Sequence, residues 1–352
     1  MTAYIISYGI AQLPFGPLSD SLGRKPIMLF GILLFLYATT SALFSPSIEQ
    51  FLIARVLQGI AMGAINSPCR ALLPDTFTGD TYKRMASTMT LAWAMEPIVA
   101  PVLGSQLQHH FGWKAPLWFL LGYGALILLL LMILPETHPK MKWTAFREFS
   151  KHGKSILLDR QFLSYLLIIT FLYSVLLLFN IVGPFLIQTT LHYSATAYGF
   201  LSLLMGVAWL SGNLINRFTV QWPIQKKIAT GLVVNSGLSL AAILLFSIQP
   251  LSIHSLVPIL FVLILCSGYM FPNGFGFCLS VFPKASGATS AIMGTLLITG
   301  AGLVTILGSL LSFSSAIPLL SVYLAGFAVS YVIVRRQALY KKTARLSVHQ
   351  DF

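Results

Sequence analysis

Long apolar runs alternate with short polar breaks along the whole chain. Eleven apolar segments are predicted, near residues 3–15, 27–45, 50–72, 85–108, 115–134, 163–188, 197–217, 227–248, 254–280, 287–312 and 315–334. Most have the roughly 20 residues that carry a helix across a hydrocarbon core. The first is short for a span, and Met1-Thr2-Ala3-Tyr4 enters it with no polar flank. It lacks the basic leader and small-residue cleavage site of a signal peptide.

The polar breaks differ in charge. Basic breaks hold Arg24 and Lys25; Arg70, Lys83 and Arg84; six residues from Lys140 to Arg160; Arg217, Lys226 and Lys227; Lys284; and the tail from Arg335 to Arg345. The breaks between them carry almost no basic residue, Lys114 excepted. Cytoplasmic loops retain Lys and Arg, so the C-terminus is expected in the cytoplasm and the N-terminus outside or in the membrane. An even number of spans would place both ends inside. One further helix ahead of the first segment is therefore expected in the complete topology, absent through a misassigned start or a true truncation.

Composition agrees with a membrane protein. Of 352 residues, 56% are hydrophobic and 9% charged, whereas soluble domains carry about a quarter charged residues. The formal net charge of +13 sits in short clusters between apolar runs, the pattern of loops and not of a nucleic-acid face, so no nucleic-acid partner is expected. Cys69, Cys266 and Cys278 lie in apolar context with neither a disulfide framework nor metal-ligand spacing. No His-Glu-x-x-His, Gly-x-Ser-x-Gly or paired intramembrane acid suggests an enzyme, and no cofactor is expected. His109 and His110 are read as solvated residues of an outer loop. The basic stretch at 135–162 divides the chain into a five-segment bundle (1–134), a cytoplasmic linker, a six-segment bundle (163–335) and a cytoplasmic tail (336–352). Within the linker, Lys142 to Arg160 suits an interfacial helix. A faint repeat supports the division: Gly212-Asn213 through Arg217 and Lys226-Lys227 fall where Gly16 to Lys25 fall in the first half.

That first stretch reads Gly16-Pro17-Leu18-Ser19-Asp20-Ser21-Leu22-Gly23-Arg24-Lys25-Pro26. It is read as a tight charged turn in which Gly16 and Gly23 permit close approach and unusual dihedrals. Asp20 is expected to meet the N-terminus of the next helix, and Arg24 and Lys25 the anionic inner surface. The stretch resembles the signature loop of the major facilitator superfamily, with Ser21 where that family carries a basic residue. Further along, Arg55, Gln58 and Gly59, with Gly63, match the family's Arg-x-x-Gln-Gly pattern. Ala100-Pro101-x-x-Gly104-Ser105 stands where efflux members carry Gly-Pro-x-x-Gly-Gly. The stretches Gly268 to Asn273 and Gly287 to Ala291, with Pro135-Glu136-Thr137 and Asp159-Arg160-Gln161-Phe162, are similar to the Bcr/CflA branch of drug:proton antiporters. The resemblance runs from the first residue to the final helix and lacks the family's first helix.

It implies an all-α, two-bundle helical transporter in the bacterial inner membrane, exporting small hydrophobic toxic compounds in exchange for protons, with a cavity between the halves. A monomer is expected. The family reading of Gly16, Asp20, Gly23, Arg24 and Lys25 is a latch on one state of the transport cycle; a simple topological anchor is the other reading. Arg55, Gln58, Gly59, Met62 and Asn66 share one helical stripe, and a buried Arg usually faces a bundle interior. Snorkelling to the outer headgroups is the alternative for Arg55. Of nine acidic residues, only Glu96 lies well inside an apolar segment, and none lies between Arg160 and Gln350. Removal from water favours a neutral carboxyl, which makes Glu96 a candidate proton carrier. It stands beside Pro97, however, so it also fits a structural role at a kink, or a contact to a cationic substrate. Asn180, Gln188, Asn213 and Asn273, with Trp93, Tyr173 and Trp209, are candidate cavity residues. Gly59, Gly63, Pro101, Gly104, Pro272 and Asn273 are candidates for helix packing or gating. Two alternatives stand beside drug export: transport of a sugar or amino acid, and a non-transporting relative.

Overall fold

The computed structural model describes residues 2–77, 81, 85, 99–137, 153–219, 221–282, 286–310 and 315–348. Every regular element among them is helical. The longer ones, in chain order, are α1 (Thr2–Leu22), α2 (Arg24–Leu43), α3 (Ile48–Thr76), α4 (99–111), α5 (Ala115–Ile133), α6 (Arg160–Pro184), α7 (Ala195–Phe218), α8 (Ile224–Ile248), α9 (Ile253–Ser280), α10 (Ser286–Ser309) and α11 (Ile317–Val348), with a short helical stretch at 153–158 ahead of α6. Eight of these helices are long and apolar enough to cross a membrane: α2, α3 to Arg70, α5, α6 with its extension to Thr190, α7, α8, α9 and α11 to Gln337. The count of eleven spans stays an expectation.

Three expectations change. The first segment is not short: α1 continues past residue 15, through Pro17, to Leu22. The charged loop is accordingly helical up to Leu22, and the turn is the single residue Gly23. His109 and His110 close α4 and do not lie in a loop, although both are exposed.

Local chemistry sets several helix ends. Asp159 accepts the Phe162 N–H at 2.6 Å and starts α6. Ser194 accepts the Ala197 N–H at 3.1 Å and starts α7. These side chains satisfy donors that the first helical turn leaves without partners. At the end of α6, Pro184 removes an N–H, and the chain continues at residues 185–190 as one wider turn. There the Leu191 N–H bonds to Leu186 O at 3.0 Å.

The chain forms two compact units. The first comprises Met1–Leu157 with Phe282–Leu303, and the second Leu158–Val281 with Val304–Phe352. In the first, α3 packs against both α1 and α2, and α2 against α5. Its apolar core joins Met28, Ile32 and Phe35 of α2 to Ala61 of α3 and Leu131 of α5. In the second, α6 packs against α9 and α11, α7 against α9, and α8 against α9 and α11. The centre of this unit is α6, whose Ile168, Ile169, Leu172, Val175 and Leu178 are fully buried. Buried hydroxyls bond back to the preceding turn of their own helices: Thr39 donates to Phe35 O and Ser174 to Thr170 O, each at 2.7 Å.

Candidate functional site

The junction of α1 and α2 is built around one glycine and one arginine. Gly23 has φ 102° and ψ 155°, a conformation that side chains with a Cβ rarely adopt. A Cβ there would also lie 2.7 Å from Glu136 Oε2. The next residue, Arg24, is only 7% exposed. Its guanidinium pairs with Asp20 of α1, donates from Nε to Asp75 Oδ2 at 3.0 Å at the end of α3, and donates from Nη1 to Ser19 Oγ at 2.7 Å. Three helices thus share one buried cation, with two carboxylates to balance it.

Asp20 does not cap α2. It lies in the last turn of α1 and serves the guanidinium. The capping carboxylate is Glu136, which follows α5 and accepts from the Arg24 N–H and the Lys25 N–H, each at 3.0 Å. A carboxylate at that position is favoured by the positive end of the helix dipole. Lys25 reaches back over the same segment, donating from Nζ to Met132 O at 2.9 Å. Ser21 turns inward and donates to Pro17 O at 2.9 Å.

The predicted α3 stripe is divided among neighbours. Gln58, buried, donates to Thr39 Oγ1 of α2 at 2.8 Å and accepts from Arg55 Nη1 at 3.1 Å. The Arg55 guanidinium also lies over the Phe51 ring, 5.1 Å from its centre. Gly59 and Gly63 meet α1: a Cβ on Gly63 would lie 2.6 Å from Ala11 Cβ, and one on Gly59 2.9 Å from the Tyr8 backbone N. Gly16 of α1 sits against Ser67 of α3. Close backbone approach through small residues is a common way for membrane helices to associate.

That approach brings together a polar ladder. Asn66 donates to the Tyr8 hydroxyl, and Arg70, one turn further on, donates to Gln12 Oε1. The two rungs are four residues apart on each helix, which places them on one face of α1 and one face of α3. On α10, Gly294 leaves room beside them, since a Cβ there would lie 2.6 Å from Arg70 Nη1. Arg70, read from the sequence as a loop residue, is instead a helix residue inside the first unit. Its spacing of four from Asn66 was the signal for it. Tyr8 and Gln12 carried no such signal beyond their polarity in an apolar run.

In the second unit, Asn180 of α6 accepts from Ser202 Oγ of α7 at 3.1 Å. Tyr173, Trp209 and Phe271 form one aromatic cluster across α6, α7 and α9, with the Trp209 and Phe271 rings 5.3 Å apart. Asn213 turns to its own helix, donating to Trp209 O at 2.9 Å, and Gln188 lies in the wide turn after Pro184. Asn273, beside Pro272 in α9, donates to Tyr269 O at 3.0 Å. Its Oδ1 faces Lys227 Nζ at 3.5 Å, and Asn216 Oδ1 accepts from the same ammonium at 2.9 Å. Lys227 is 3% exposed and lies 5.9 Å from the centre of the Tyr269 ring.

Glu96 and Trp93 lie outside the described residues. Pro101 and Gly104 lie in α4, and a Cβ on Gly104 would meet no described atom within 4 Å. Among the described residues no group of three or more His, Cys, Asp or Glu could hold a metal ion.

A sequence profile described as Major Facilitator Superfamily matches residues 1–309. The chain is 27% identical over 338 residues to a protein named multidrug resistance protein MdtL of Klebsiella pneumoniae, covering 95% of this chain and 84% of that one. It is 29% identical over 342 residues to the protein of the same name from Shewanella oneidensis, again covering 95% and 84%. In fold it is similar to the crystal structure of a D-xylose-proton symporter, with a TM-score of 0.68, 15% identity, and coverage of 95% of this chain and 85% of that one. With its multi-pass helical architecture and a family match across most of its length, the chain belongs to the Major Facilitator Superfamily and is a membrane transporter of small molecules, not an enzyme.

Proposed function

We propose that this transporter exports small, mostly hydrophobic toxic compounds across the bacterial inner membrane in exchange for protons. The observation that carries the reading is the similarity, over 95% of the chain, to proteins named for multidrug resistance. The two bundles at 1–134 and 163–335, the monomeric state and the cytoplasmic C-terminus belong to the same proposal. Alternating access is biased by protonation of an intramembrane carboxylate, for which Glu96 is the candidate. Asn66 and Arg70 present polar groups from α3, while Gln58, itself bonded by Arg55, holds that helix to α2 at its other end. The Arg24 cluster at the α1–α2 junction steadies one state of the cycle.

The test is dye accumulation in energised bacterial cells that lack their own exporters. Cells expressing the chain should hold less of a lipophilic dye than control cells, and a protonophore should abolish the difference. Equal accumulation across a broad panel of dyes and antibiotics, with the protein in the membrane, would exclude this substrate class. A difference that survives the protonophore would exclude proton coupling.

A further inference from the structure

The junction of α7 and α8 carries cations and lacks acids. Arg217 ends α7, and Lys226 and Lys227 lie in the first turn of α8. No carboxylate occurs anywhere from Arg160 to Gln350, so α6 to α11 carry no acid of their own, and among the described residues the ion pairs involve none of these three cations. The partners of Lys227 are accordingly uncharged: the Asn216 and Asn273 amide oxygens and the Tyr269 ring. Burying an ammonium among neutral groups is costly unless a counter-charge approaches from outside.

The start of α8 adds to this. Its N-cap is Pro223, which makes no side-chain cap, and its first turn holds no acid, so the positive end of the helix dipole points the same way as the lysines. At the corresponding start of α2, Glu136 supplies a carboxylate from within the chain. The outer surface of the α7–α8 junction is also amphipathic. Arg217 and Lys226 are exposed, and so are Trp222 at 59% and Phe218 at 89%. Cations beside exposed aromatic rings are the signature of a headgroup-level contact.

We infer that this junction is a docking surface for the phosphate of an anionic phospholipid, held by Arg217, Lys226 and the free N–H groups of the α8 N-terminus. Trp222 and Phe218 lie against the glycerol and upper acyl region. Buried Lys227 does not touch the lipid; its charge adds to the attraction from beneath. The lipid supplies the anion that Glu136 provides in the first unit.

Native mass spectrometry of the full chain, released from nanodiscs of zwitterionic lipid doped with phosphatidylglycerol, reads the site directly. The wild type should retain bound phosphatidylglycerol. The exposed-site variant R217Q/K226Q should lose affinity about thirtyfold, at the usual contribution of each basic residue near an anionic surface. K226R should restore retention relative to K226Q, and K25Q should leave it unchanged, because the Lys25 ammonium is held by Met132 O at the other junction and not, as the sequence suggested, by the anionic surface. Equal retention by wild type and double variant would overturn the proposal, as would an equal loss in K25Q. Displacement of the lipid by inorganic phosphate at matched concentration would reassign the surface to a free anion and overturn it as well. Circular dichroism of R217Q/K226Q checks that the fold is kept, and unaltered helicity with lost lipid supports the site.

Discussion

The α1–α2 and α7–α8 junctions occupy corresponding places in the two halves and solve the same problem with different chemistry. Each holds one nearly buried cation at the start of a helix, Arg24 in the first and Lys227 in the second. Arg24 meets Asp20 and Asp75. Lys227 meets Asn216 and Asn273. Carboxylates bind the first cation tightly and make the junction sensitive to loss of either partner. Amides satisfy the second by hydrogen bonds alone and leave its charge to be balanced elsewhere. A repeated fold therefore does not imply repeated electrostatics: among the described residues, carboxylates pair with the first cation and neutral amides with the second.

The largest expected effect comes from removing the first cation. Arg24→Met leaves two carboxylates and the Ser19 hydroxyl facing each other, and should cost about 2 to 3 kcal/mol. That is less than for a fully buried pair, because the Asp20 side chain is 39% exposed. Thermal unfolding in detergent checks it. Lys227→Met removes a cation without stranding an anion, and should cost only about 1 kcal/mol, the worth of its hydrogen bonds. Equal losses in the two variants would break the comparison.

Helix approach gives an intermediate test. A Cβ on Gly212 would lie 2.6 Å from the Tyr269 backbone N, and one on Gly268 3.0 Å from Trp209 Cα, so α7 and α9 are in contact through both glycines. Gly212→Ala should cost about 2 kcal/mol by forcing these backbones apart, and Gly63→Ala, against the Ala11 side chain, somewhat less. A chemical-denaturation series on the two variants measures the difference. The smallest effect should be a gain. Asn216→Asp gives Lys227 a counter-ion and should stabilise the protein by about 0.5 to 1 kcal/mol, while weakening retention of the anionic lipid. A variant that stabilises the protein without touching lipid retention would separate the two halves of the argument.

Much of the architecture was legible in the sequence because the membrane makes apolar length conspicuous. Burial was not. The most apolar windows of α5 and α6 have mean hydropathies of 2.3 and 2.4, yet 17% of the first and 67% of the second are buried inside the protein. Lipid tails are as apolar as a protein core, so apolarity alone cannot say which helix is central. The motif at Gly16 to Lys25 was visible as letters, but its geometry was misread. The turn proved to be Gly23 alone, because a helix tolerates Pro17 when local rearrangement satisfies the backbone. The capping role fell to Glu136, more than a hundred residues away, which no local pattern announces. Arg70 was misplaced for a related reason: a basic residue near a segment end looks like a loop residue until its partner, Gln12, is known.

The central claim is that this chain exchanges drugs for protons, and inverted membrane vesicles test it most directly. Vesicles containing the chain are energised to build an inward proton gradient, and antibiotics and dyes are added in turn. The account predicts a partial, substrate-dependent collapse of the gradient that disappears in Glu96→Gln. Collapse that persists in that variant would keep antiport and remove Glu96 as the carrier. No collapse with any compound, at matched protein content, would contradict proton-coupled drug export.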